Sequence, residues 1–111
     1  SEATLTPVSG AKTIGAHAGT YAAPTALANN TWGYAVGGLG SFDASYTTLT
    51  NATTSTTKWS GVPSSASPQN IKSTATVASG DTTTVWYAVK ADTTKPNGVY
   101  TDTVTYTATT K

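Results

Sequence analysis

The sequence predicts an all-β chain, a single antiparallel β-sandwich of about six to eight strands. Three observations carry this. Thr and Ser together make up about a third of the 111 residues, and Thr is β-branched, so it favours strands and keeps a solvent face wet without charge. Of the usual long-side-chain helix formers, Leu, Glu, Lys and Arg, there is no Arg and only one Glu, Glu2. Apolar residues alternate with polar ones over several stretches, most clearly near the C-terminus. At 111 residues the chain is long enough for one domain with a modest core, spanning residues 1–111.

Residues 1–29 are weakly patterned. They read as an edge strand or as an incomplete N-terminal part, with a strand missing or supplied from outside. Ala3 to Thr6 has the length of a short strand, and Pro7 ends it or marks an edge. Thr25-Ala26-Leu27-Ala28 has room for one helical turn and no more. Thr31 to Val36 reads as a strand in which Trp32, Tyr34 and Val36 share a face. Gly37-Gly38-Leu39-Gly40 is a flexible turn, since it lacks the Lys and the following helix of a phosphate loop. Phe42, Tyr46 and Leu49 anchor the next piece, and residues 50–57 form a polar edge or loop.

Residues 64–69 form a loop between Pro63 and Pro68. Asn70 to Ala78 alternates through Ile71, Ser73, Ala75 and Val77 and reads as a strand. Ser79-Gly80-Asp81 is a turn. Thr83 to Ala91 is apolar on both faces through Val85-Trp86-Tyr87-Ala88-Val89, which suits a central strand covered from both sides. Residues 92–98 carry strong turn chemistry in Pro96-Asn97-Gly98. The last strand spans Val99 to Thr109, with Tyr100, Val104, Tyr106 and Ala108 on one face and Thr101, Thr103, Thr105 and Thr107 on the other.

Composition also excludes function classes. Charged residues are 10% of the chain and the net charge is +1, so the basic patch that phosphate binding needs is missing and no nucleic-acid partner is expected. No run approaches the ~20 apolar residues of a spanning helix, so direct membrane insertion is not expected. With no Cys, any staple must be something other than a disulfide. A mature or excised chain would show no signal peptide, and none is visible.

The stretch Asn30-Thr31-Trp32-Gly33-Tyr34, followed by Val85-Trp86-Tyr87-Ala88-Val89-Lys90 and its continuation to Ala108, resembles repeat-like, Ig-like sandwich domains of large secreted surface proteins from Gram-positive-type and ultrasmall (Saccharibacteria-like) bacteria. Gly98-Val99-Tyr100-Thr101-Asp102-Thr103-Val104 also resembles the last strands of spore-coat-U-type and pilus-like sandwiches. The resemblance covers residues 30–111 well and 1–29 poorly. It implies an extracellular, modular, non-enzymatic protein of the cell surface and carries over no catalytic residue. The expected partners are neighbouring domains of the same surface protein, with a glycan or a host or partner protein as alternatives.

Candidate sites follow from few residues. His17 is the lone histidine, so a zinc set is not available and no cofactor or metal is expected. A plain surface or turn histidine outweighs a Ser-His-Asp triad. Glu2 and the Asp at 43, 81, 92 and 102 are too scattered for a glycosidase pair or a calcium loop.

Asp102 falls on the core face of the last strand. There it either accepts bonds from turn backbone or Thr hydroxyls, or joins an isopeptide crosslink. The candidate amines are Lys12, Lys58, Lys72 and Lys90, with Asn29, Asn30 and Asn70 as acyl partners. Among the tryptophans, Trp86 and Trp32 read as core, and in a small domain all three can be core; if one is an exposed, ligand-stacking ring, Trp59 is the best candidate. Asn29-Asn30-Thr31 and Asn51-Ala52-Thr53 match the N-glycosylation pattern, which points to surface location. The expected role is a structural or spacer module. Alternatives are a carbohydrate- or protein-binding adhesin module, or a pilin-like subunit completed by a partner strand.

Overall fold

The computed structural model describes residues 4, 6–7, 13–37, 57–77 and 79–109, and everything below concerns these. Among them there is no helix, and the strands form a mixed sheet. In chain order they are β1 (Thr6–Pro7), β2 (Gly15–Ala16), β3 (Thr25–Ala26), β4 (Thr31–Gly37), β5 (Lys58–Gly61), β6 (Thr84–Lys90) and β7 (Tyr100–Thr101). The expected piece around Phe42, Tyr46 and Leu49 lies outside the described residues, as do Lys12, Glu2 and the sequon at Asn51.

β4 is the centre of the sheet. Along one edge it pairs antiparallel with the whole of β6, from Thr31 opposite Lys90 to Gly37 opposite Thr84. Its other edge is shared. β2 runs parallel to its first residues (Gly15 opposite Thr31), and β5 runs antiparallel to the next (Gly33 opposite Gly61). β3 extends the sheet beyond β5, and β1 pairs with β7 separately.

The parallel β2–β4 pair departs from the purely antiparallel sheet expected. It also shows what the weakly patterned N-terminal third does. Short pieces of it, too brief to show periodicity, fill the edge of β4 that β5 leaves open.

The register places Trp32, Tyr34, Val36, Val85, Tyr87 and Val89 on one face of the β4–β6 pair. Trp32 and Tyr87, diagonal neighbours, stack with ring centroids 6.2 Å apart. Gly33, Ala35 and Gly37 face the other way, opposite Ala88, Trp86 and Thr84. Ile14, Trp32, Tyr34, Ala35, Val36, Trp59 and Val62 form the buried cluster.

Four expectations are corrected. The strand buried on both faces is β4, and β6 is the flank, with Tyr87 and Val89 exposed. The small residues of β4 let neighbours close over it, whereas the larger side chains of β6 outrun the cover available. Asn70 to Ala78 forms no strand among its described residues. Only Ile71 docks on the core, Val77 is 98% exposed, and the Asn70 side chain takes the Lys72 N–H at 3.1 Å, which competes with a ladder.

Among the described residues, the last strand is paired only at β7. At Asp102 the carboxylate takes the next N–H, that of Thr103, at 2.7 Å, and residues 102–109 join no ladder with the described residues. Thr25–Ala26 is a strand and not a helical turn, because β5 offers it a ladder. Of the expected turns, Gly80 takes φ 68°. In residues 92–98 the hydrogen-bonded turn falls at Asp92–Lys95 (Lys95 N–H to the Asp92 carbonyl), ahead of Pro96-Asn97-Gly98, and neither Asn97 nor Gly98 takes a positive φ. Residues 38–40 of the expected glycine turn lie outside the described residues.

Candidate binding cleft

Over the Trp32/Tyr34/Val36 face lies a cleft of about 90 Å³. Tyr34 of β4 and Val85 and Tyr87 of β6 line one side, and Ile71, Val104 and Tyr106 line the other. No charged side chain lines it. Its volume is well below the ~300 Å³ of an ordinary small-molecule site, and below the ~150 Å³ cavity that accepts benzene. It can enclose one aliphatic side chain, but not a sugar ring.

Tyr87 and Tyr106 meet hydroxyl to hydroxyl at the rim, and both rings are partly in solvent. Burial, and next the bond to Tyr106, raises the Tyr87 phenol above its ordinary range. Burial also raises Tyr34; the Ser60 hydroxyl works against this, and Tyr106 adds to it. Tyr21 is pushed up to about 12, first by burial and then by Tyr34. The phenols therefore stay neutral at physiological pH.

Several polar side chains away from the cleft are engaged within the fold. His17, expected at the surface or in a turn, is 6% exposed. Its N–H bonds the Trp32 carbonyl at 2.8 Å, which continues the parallel β2–β4 pairing. Its Nε2 meets Thr25 Oγ1 at 2.8 Å, and Nδ1 accepts the Ala28 N–H at 3.4 Å, with Thr31 Oγ1 at 3.5 Å. Because a backbone N–H can only donate, Nδ1 is the acceptor in this arrangement and Nε2 is the nitrogen that faces Thr25 as donor. Three glycines make room for it. A Cβ on Gly61 would overlap the His17 carbonyl, one on Gly19 would sit 2.9 Å from Nε2, and one on Gly33 would lie 2.5 Å from the Ser60 carbonyl oxygen.

A second knot joins the turn before β4 to the loop after β6. Asn30 adopts φ 60°, and its amide donates to Asp92 Oδ2 at 2.8 Å, while Asp92 N–H donates back to Asn30 Oδ1 at 3.2 Å. Asp92 Oδ1 also accepts from Thr94 N–H at 2.9 Å and from its hydroxyl at 2.6 Å. These Thr94 bonds are the main reason the Asp92 carboxyl lies below its usual range, with Asn30 and Lys95 assisting. Lys95 Nζ reaches the Thr13 carbonyl at 2.5 Å, and Lys72 pairs with Asp81 at 2.5 Å.

The residues singled out from sequence fall as follows. Trp59 is 5% exposed and belongs to the core, so the exposed ring expected there is corrected. The polar run before it suggested a surface, but β5 lies between β3 and β4 and its tryptophan turns inward. Asp102 is half-buried, and its Oδ1 accepts the Thr103 N–H at 2.7 Å. Lys90 is exposed and donates to the Leu27 carbonyl at 3.4 Å. Asn30, one of the acyl candidates, has its amide committed to Asp92.

The Tyr34/Tyr87/Tyr106 grouping was missed. Its signal was the shared period of Trp32-x-Tyr34-x-Val36 and Val85-x-Tyr87-x-Val89, which predicts one common face once the two strands are paired. Compared with known proteins, the chain matches no family model, no curated protein and no solved structure.

Proposed function

We propose that this chain is a non-catalytic structural module of an extracellular bacterial surface protein, folded as an Ig-like sandwich whose second layer closes over the Tyr34/Tyr87 face. The observation that supports this is how the chemistry-bearing side chains are used. His17, Asn30, Asp92, Lys72 and Lys95 each bond a distant part of the chain, and none of them lines the cleft. A spacer must stay folded in an exposed setting without disulfides, and polar ties of this kind serve that need. Its neighbours would be further domains of the same surface protein.

A second reading is a binding module. It is favoured by the uncharged, tyrosine-lined rim of the cleft, which suits a glycan or protein partner of an adhesin or pilin-like subunit. The test is an array of glycans and cell-wall polysaccharides probed with the domain and with Tyr87→Ala. No saturable binding supports the structural module. Binding that the variant loses overturns it in favour of a carbohydrate-binding module.

A further inference from the structure

We propose that Tyr87 and Tyr106 form an oxidative crosslinking site, at which a peroxidase and hydrogen peroxide would join the C-terminal segment to β6 through a dityrosine bond. Three observations lead there. The two phenol oxygens are in direct contact although the residues are 19 positions apart. Both side chains are open to an oxidant, at 43% and 58% exposure. The chain contains neither Cys nor Met, the side chains that oxidants otherwise consume first. A covalent bond at Tyr106 would tie the segment after β7 directly to β6.

The chemistry balances with one named oxidant. The peroxidase uses one hydrogen peroxide to take a hydrogen atom from each phenolic O–H, leaving two tyrosyl radicals and two waters. The radicals pair their electrons in a new carbon–carbon bond between ring positions ortho to the oxygens. Each ring then gives up its ortho hydrogen as a proton, its oxygen takes up a proton, and both phenols are restored. The net change is the loss of two hydrogen atoms. The other described tyrosines are less well placed. Tyr34 is buried, and Tyr100 donates its hydroxyl to the Pro96 carbonyl at 3.0 Å.

The experiment treats the dilute domain with a haem peroxidase and hydrogen peroxide, then reads intact mass, dityrosine fluorescence and a tryptic map. The expected result is a monomer lighter by two hydrogen atoms, with peptide 73–90 joined to peptide 91–111 through Tyr87 and Tyr106. The crosslink should vanish in Tyr106→Phe and persist in Tyr100→Phe. Crosslinks found only between molecules, or mapped in the wild-type domain to any other tyrosine pair, would overturn the proposal. The wild-type map decides the matter even where a variant folds poorly.

Discussion

At the scale of single residues, the phenols and one carboxylate set the response to pH. Tyr21 and Tyr87 are raised above the ordinary tyrosine value, Tyr21 to about 12. A group whose folded pKa is raised contributes stability that is fully present below the unfolded value of about 10 and is lost as pH rises through the folded value. The domain should therefore lose stability progressively above about pH 10. Urea melts at stepped alkaline pH should show this loss, and Tyr21→Phe combined with Tyr87→Phe should flatten it. An unchanged slope in the double variant would contradict the assignment.

Asp92 works in the opposite sense. Its folded pKa is lowered, so its contribution is present above the unfolded value of about 3.9 and is lost as pH falls through the folded one. In Asp92→Asn, the part of the acid-induced loss that belongs to this carboxyl should disappear, as read from acid titration of the melt.

Among the elements, β4 and β6 exchange the roles their sequences suggest. Val85-Trp86-Tyr87-Ala88-Val89 looks buried because apolarity is legible in sequence. The depth of β4 depends on Gly33, Ala35 and Gly37, whose small size becomes informative only when a neighbour is known to press against them. Amide hydrogen exchange should follow the pairing, with β4, laddered along both edges, slower than the turn at Asp92–Lys95. Equal protection of the two would contradict the central place of β4.

Gly61 tests the close approach of β5 to the chain at His17. Gly61→Ala forces a Cβ into the His17 carbonyl and should cost about 1–3 kcal/mol in urea unfolding, as overpacking does. Gly98→Ala, with open space around its Cβ position, should cost far less.

Across the whole molecule, the all-β class, the β4 and β6 strands and the turns at Gly80 and Asp92 were legible, because composition and local periodicity determine them. The cleft and the polar knots were not. They depend on which distant segments meet, and a lone His17 in an unpatterned stretch carries no mark of its partners. Trp59 misled for the same reason, since its local surroundings are polar and its burial comes from β3 and β4.

Polar side chains tie distant segments together in this fold, and His17 does so most extensively. Its bonds join β2, β3, the turn before β4 and β4 itself. The most direct measurement is equilibrium urea unfolding of His17→Ala beside the wild-type domain. Removing a buried side chain that satisfies its neighbours should lower stability by about 1–3 kcal/mol, with the unfolding still cooperative. An unchanged midpoint would contradict the claim and leave His17 free for some other task.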